Sequence, residues 1–312
     1  MSSTSPQAPP AKRLFCFGLG YSALALIRCL AAEGWQIAGT VRSAEKARGL
    51  TEDRRYGPLE VFTFDRGRPL EDAMAALAGT THLLSSVPPG SGEDPVIEAH
   101  FGDIAALSEL RWVGYLSTTG VYGDRAGGWV DETSALTPTG ERGQRRVDAE
   151  RAWRRLYEDH GLPVHVFRLA GIYGPGRSQF RNLRDGGSRR IDKPGQVFNR
   201  IHLDDIVQVL HASMQRPKPD TAYNLCDDEA ANPAEVTAYA AALLGIEPPP
   251  LVPFEEAELS EMGRSFYRDS KRVSNARIKQ DLGVALHYPT YREGFRAVLE
   301  AETRAAESQA ST

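Results

Sequence analysis

The sequence predicts an α/β fold, a doubly wound parallel sheet with a smaller C-terminal lobe, on three observations. Short apolar runs alternate with helical patterns through the first half of the chain. Those runs are apolar throughout instead of every second residue, as in strands buried on both faces. The intervals between them suit crossover helices and not hairpins. In chain order, "RLFCFGLG" is a strand ending in glycines, and "YSALALIRCLAAEG" carries Leu24, Ile27 and Ala31 on one helical face before stopping at Gly34. "WQIAGTV" is the second strand, a charged helix fills Ala44 to Arg54, and "LEVFTFD" is the third strand. "THLLSSVPPG" is a fourth strand running into a proline-glycine loop, and "RWVGYLSTTGVYG" is a fifth. The helix "AERAWRRLYEDHG" puts Ala149, Ala152, Trp153 and Leu156 on one face, and "LPVHVFRLAGIYG" is the sixth strand. After Gly174 the pattern loosens into the basic, glycine-rich "PGRSQFRNLRDGGSRRIDKPGQVFNR", then a helical block from Pro233 to Leu244 and the link "IEPPPLVPF". The expected organisation is a disordered lead-in over 1–11, a sheet domain over 12–174, a substrate-binding lobe mainly over 175–300 with 201–226 returning to the sheet, and a fraying tail over 301–312.

Composition narrows the functional classes. The 312 residues hold 37 Lys+Arg against 41 Asp+Glu, a formal net charge of -4. A nucleic-acid partner would call for a basic excess, so none is expected. Cys16, Cys29 and Cys226 stand far apart with no CxxC and read as free thiols in a reducing compartment. No apolar run approaches the ~18 residues of a membrane span. The Ser/Pro-rich start lacks the apolar run of a signal peptide. The expected address is the cytoplasm, without a membrane partner, and no metal is expected.

"GLGYSA" follows the first strand directly and opens the first helix. Gly18, Leu19, Gly20, Tyr21 and Ala23 lie where backbone passes close to a pyrophosphate whose charge rests on a helix N-terminus. A tight structural turn is the alternative. About twenty residues on, a site for NAD would carry an acidic residue for the ribose hydroxyls. This chain has "TVRSAEK". Arg42, helped by Ser43 and Lys46, suits a 2′-phosphate, which favours NADP with NAD as an alternative; a solvated surface arginine is the plainer reading. Asp65, ending the third strand, is a partner for adenine or the cap of a turn. In "STTGVYG" the hydroxyls face the sheet's ligand edge, where they can bond a substrate carbonyl or alcohol, or serve as ordinary strand formers.

The ordered series "FGLGYSA…TVR…FD…SSVPPG…STTGVYG…RLAGIYGPGR…NRIHLDDIV…YNLCDDEAANPAEV" resembles the short-chain dehydrogenase/reductase superfamily. More narrowly, it is similar to atypical relatives of the extended branch that holds nucleotide-sugar epimerases and dehydratases. The resemblance spans about residues 13 to 298 and implies an NAD(P)-binding Rossmann fold. It implies that Ser86, Val87 and Pro88 line the nicotinamide-ribose side and that Thr118 takes the place of the catalytic Ser or Thr. It further implies a Tyr followed four residues later by a Lys, and the positions that match are Arg142 and Arg146. Arginine cannot act as a general base at neutral pH. Arg146 can still bind a ribose or phosphate, and Arg142 is kept as a site candidate against a solvated helix start. Tyr122 and Tyr173 are the alternative proton sources, although such tyrosines recur in the superfamily as packing residues; Asp124 and His202 are weaker candidates. Arg177, Arg181 and Arg200 stand in a basic lobe, where nucleotide-sugar relatives clamp a diphosphate. The helices around Ile97 to Leu110 and Ala149 to Tyr157 match a four-helix dimer interface common in the superfamily. The expected function is an NADP-dependent oxidoreductase or epimerase-like enzyme acting on a carbonyl or alcohol of a small, anionic substrate by non-standard acid/base chemistry. The alternative is a catalytically silent NADP(H)-binding regulatory or scaffold protein.

Overall fold

A computed structural model describes residues 12–310, so the expected lead-in over 1–11 lies outside the described residues. Strand β1 (Arg13–Phe17) is buried at every position and leads into helix α1 (Tyr21–Ala32), which buries Ala23, Leu26, Ile27 and Leu30. Then come β2 (Gln36–Val41), α2 (Ala44–Glu52), β3 (Leu59–Thr63), α3 (Ala73–Leu77) and β4 (His82–Ser85). Next are α4 (Pro95–Ala105), β5 (Trp112–Thr118), the short β6 (Trp129–Val130), α5 (Glu141–His160), β7 (Val164–Leu169) and β8 (Gly171–Tyr173). The remainder runs α6 (Phe180–Arg184), β9 (Arg190–Asp192), β10 (Arg200–His202), α7 (Leu203–Gln215), β11 (Thr221–Leu225) and α8 (Pro233–Leu243). It ends with β12 (Leu251–Pro253), α9 (Glu261–Phe266), β13 (Arg272–Val273), α10 (Ala276–Leu282) and α11 (Tyr291–Ala310).

Seven strands form the main sheet in the order β11-β7-β5-β4-β1-β2-β3. The pairs β1–β2, β1–β4, β2–β3 and β4–β5 are all parallel, as the apolar runs and crossover helices require. The chain therefore has the doubly wound α/β architecture expected. The predicted sixth strand is two strands. It breaks at Ala170, whose N–H bonds the Leu225 carbonyl at 3.0 Å, and β8 then leaves to pair in parallel with β10.

The chain divides into two compact units, and the boundary differs from the expected one at 174. The first runs through Tyr115 and takes in Ala152–His165 and Pro217–Asp220. The second comprises Leu116–Arg151, Val166–Arg216 and the described residues from Thr221 on. Within the second unit a buried ion-pair network, described below, joins the ends of β5 and β7 and the middle of α5 to β11. A second correction concerns the tail. Helix α11 continues through 301–310, where fraying was expected, because Phe295 and Val298 are buried with Tyr173 and Phe180, and Glu302 accepts from Ser178 Oγ at 2.9 Å. Among the described residues, no helix is long and apolar enough to cross a membrane, and no group of three or more His, Cys, Asp or Glu side chains is placed to hold a metal.

Candidate functional site

In the first unit, the chain leaves β1 by a loop that its own backbone and two hydroxyls hold open. Gly18 has φ +87°, a conformation that disfavours any residue with a Cβ. An added Cβ there would also stand 2.9 Å from Ser86 Oγ. The Gly18 N–H donates to Thr40 Oγ1 (2.9 Å), Ser86 Oγ donates to the Gly18 carbonyl (2.6 Å), and the Leu19 N–H donates to the Thr40 carbonyl (2.8 Å). Gly20 then begins α1 without a side-chain cap. The first-turn amides of a twelve-residue helix point out of the loop with no capping side chain over them, as an anion site needs. Lys46 extends from α2 back over this loop, its Nζ 3.0 Å from the Leu19 carbonyl. Residues for a dinucleotide pyrophosphate are thus present and fit the group.

The other cofactor candidates sort by contact. Arg42 is exposed at the end of β2, and its guanidinium has no partner among the described residues; its carbonyl accepts from Arg68 Nη2. Ser43 caps α2 by accepting from the Lys46 N–H at 3.3 Å. Asp65 is exposed in a tight turn, its N–H on the Arg68 carbonyl at 3.0 Å and its carboxylate on the Arg66 N–H at 2.9 Å. Ala23 is fully buried, so it serves the close packing of α1 and does not touch a ligand. Val87 and Pro88 follow Ser86 in the loop after β4, with Pro88 exposed.

In the second unit, Thr118 ends β5 half-buried and caps the 3-10 turn Thr119–Tyr122, its Oγ1 accepting the Gly120 N–H at 3.1 Å. That bond fixes the oxygen and uses an acceptor lone pair, leaving the hydroxyl proton to be donated. Tyr122 requires a correction as a catalytic candidate. It is fully buried, its OH donates to Asn224 Oδ1 (2.7 Å) and accepts from Arg168 Nη1 (2.9 Å), and burial pushes its pKa up to about 12. Tyr173 is likewise buried, and burial, with Asp227 nearby, raises its pKa. Burial holds His202 down at about 4, and its Nδ1 accepts the Asp204 N–H at 3.1 Å as the cap of α7. Asp124 accepts the Ser270 N–H at 2.7 Å, which lowers its pKa. None of these four is poised to supply a proton near neutral pH.

Arg142 and Arg146 both lie on the first turns of α5. Arg142 is exposed, its guanidinium 6.0 Å over the Phe266 ring. Arg146 is half-buried and donates from Nη1 to the Leu116 carbonyl at 2.9 Å. The lobe arginines do not converge on one partner. Arg181 is 89% exposed and pairs with Asp185 at 3.8 Å, Arg177 closes a tight turn with Gly174, and Arg200 bonds the Phe198 carbonyl at 3.0 Å. Arg200 is half-buried beside Asp227, so it is an internal residue and not part of an open clamp.

Sequence reasoning missed the network that aligns these elements. Arg168 on β7 forks onto Glu150 of α5, with Nη2 to Oε2 at 2.8 Å, while Ser117 Oγ donates to Glu150 Oε1 at 2.5 Å. Asn224 of β11 joins through Tyr122, and its N–H donates to Glu132 at 2.8 Å. Burial opposes the Arg168 charge, but the Glu150 carboxylate more than offsets it and the arginine pKa rises. A signal existed in "VHVFRLA", since a charge inside a buried strand demands a partner. Tyr122→Phe removes a donor to Asn224 and an acceptor for Arg168. It should lower stability in urea unfolding by about 1–3 kcal/mol, with cofactor titrations unchanged.

No protein-family model matches the chain. Protein YeeZ of Escherichia coli K12 is 30% identical over 288 residues, which cover 89% of this chain and 97% of that protein. The chain belongs to the YeeZ family. A functionally unknown conserved protein from Silicibacter pomeroyi, known as a solved structure, is 52% identical with a TM-score of 0.86, covering 93% of this chain and 99% of that one. UDP-glucuronic acid 4-epimerase from Bacillus cereus, solved with NAD, is 14% identical with a TM-score of 0.73, covering 94% and 99% of the two chains. The dTDP-glucose 4,6-dehydratase of Bacillus anthracis, also solved with NAD, is 14% identical with a TM-score of 0.74, covering 95% and 98%. The chain thus shares the fold of these two NAD-containing structures.

Proposed function

We propose that this YeeZ-family chain is an NAD(P)-dependent oxidoreductase or epimerase-like enzyme that prefers NADP and acts on a carbonyl or alcohol of a small, anionic substrate. The observation that carries this function is the loop at Gly18–Gly20, held by Thr40 and Ser86 ahead of an uncapped helix N-terminus and flanked by Lys46 and Arg42. The nicotinamide cofactors solved with the epimerase and dehydratase structures of the same fold support it. When bound, such a cofactor supplies or accepts hydride. Arg42, with no carboxylate to neutralise it, attracts the adenosine 2′-phosphate. Ser86 fixes the glycine loop, and Thr118 donates a hydrogen bond from its hydroxyl to the substrate oxygen while the Gly120 amide holds Oγ1. Arg142 remains charged and steadies an anionic group instead of moving a proton. Arg146, Arg177, Arg181 and Arg200 are kept as candidates for the remaining polar contacts. The chain is taken to work in the cytoplasm, as a homodimer through α4 and α5; exposed Tyr157 and the Arg155–Phe101 stack at 5.4 Å lie on those helices.

Withdrawal of Tyr122 into the core favours a second function, an NADP(H)-binding regulatory protein without turnover. Fluorescence titration with NADPH and NADH, followed by consumption assays over carbonyl compounds and nucleotide sugars, separates the two. Binding with turnover supports the enzyme, binding without turnover on any member supports the regulator, and no binding defeats both. Arg42→Ala should weaken NADPH by about tenfold, one charge-assisted contact, and leave NADH unchanged; equal losses would refute the phosphate role.

A further inference from the structure

Arg66 ties together two segments that the sheet keeps apart. Strands β1 and β2 lie between β3 and β4, so the residues leaving β3 and those leaving β4 stand on either side of the glycine loop and Arg42. Arg66 follows β3 closely, yet its Nη1 bonds the Glu98 carboxylate at 2.5 Å and its Nη2 the Glu93 carbonyl at 2.5 Å. The guanidinium lies flat against the loop after β4. A Cβ on Gly92 would stand 2.9 Å from Nη1, and one on Gly90 would stand 3.5 Å from Nε, so this approach depends on the missing side chain at Gly92 above all. The same segments meet a second time at a buried point, where the Leu70 N–H donates to His100 Nε2 at 3.1 Å.

The two ties differ in strength. The Arg66–Glu98 pair is partly open to solvent, at 33% and 50% exposure, and such pairs are weak enough to open often. The His100 bond is dry and persists when the outer pair opens. A bond that spans the carboxyl ends of β1 and β2 crosses the path that a dinucleotide laid on the glycine loop and Arg42 would take. We propose that Arg66 is a strap over the first unit's carboxyl edge and gates exchange of the dinucleotide there. This role rests on the cofactor assignment above. Arg66 is a positioning residue here, acting through the loop of residues 88–94 that carries Pro88.

Stopped-flow NADPH fluorescence tests the gate with Arg66→Ala and Glu98→Gln; the second variant keeps the cation and touches no proposed cofactor contact. Cutting the strap should raise the association and dissociation rate constants together, by about twofold to fivefold for Arg66→Ala and less for Glu98→Gln, while Kd moves less than either. Added salt should speed exchange in the wild type and not in Arg66→Ala. Unchanged rates overturn the strap, and so does faster dissociation alone, which would make Arg66 a direct cofactor ligand. Without nucleotide, Arg66→Ala should also speed amide hydrogen exchange at residues 88–94, and equal exchange overturns the strap. If that exchange rises while the wild type binds neither NADPH nor NADH, the strap stands and the cofactor assignment fails.

Discussion

Arg168→Ala should lower the unfolding free energy by about 3–5 kcal/mol, the largest stability effect expected of any single polar substitution in this chain. The side chains of Arg168 and Glu150 are only 8% and 4% exposed, so water cannot take the place of the missing partner. Removing the guanidinium strands the Glu150 carboxylate with only the Ser117 hydroxyl, and takes a donor from Tyr122. The converse does not follow, because a buried ion pair is not itself strongly stabilising. Replacing both partners at once, as Arg168→Met with Glu150→Leu, should recover most of the loss. Urea unfolding of the two variants and the wild type measures this directly. A loss below about 1 kcal/mol for Arg168→Ala would show that the carboxylate reaches solvent after all.

That network also marks where the sequence stopped being legible. The strands were readable because buried parallel strands are apolar at every position, and the glycine loop because "GLGYSA" directly follows one strand and opens a helix. Both are local constraints written in consecutive residues. The split of the sixth predicted strand was not readable. Ala170 and Gly171 look like strand residues, and only the Asn199 carbonyl, which takes the Gly171 N–H, and the pairing of β8 with β10 draw the chain away from the main sheet there. Tyr122 was ambiguous for the same reason, since its partners Arg168 and Asn224 come from two other strands. The arginines at 142 and 146 were picked out by counting, but their different surroundings were not legible. Arg142 ends beside Phe266 and Arg146 on the Leu116 carbonyl, contacts made by segments far from α5 in sequence. Residues whose role is fixed by neighbours along the chain were readable; those fixed by distant partners were not.

Thr118→Ala should reduce turnover by about 10²–10³-fold while leaving NADPH binding close to the wild-type value. The expectation rests on the proposed enzyme function and on the burial of Tyr122 and Tyr173, which are sealed in the core. Thr118 is then the hydroxyl donor that the end of β5 presents, half-buried and with its oxygen pinned by the Gly120 amide. A pre-set donor loses little on meeting a developing oxyanion, because its orientation does not have to be found during the reaction. The alanine variant also leaves the Gly120 N–H uncapped, at a cost of about 1 kcal/mol, so stability must be measured alongside activity. Thr118→Ser separates the two effects, because it keeps the hydroxyl and the cap and should retain most of the turnover. An alanine variant as active as the wild type would take Thr118 out of the chemistry.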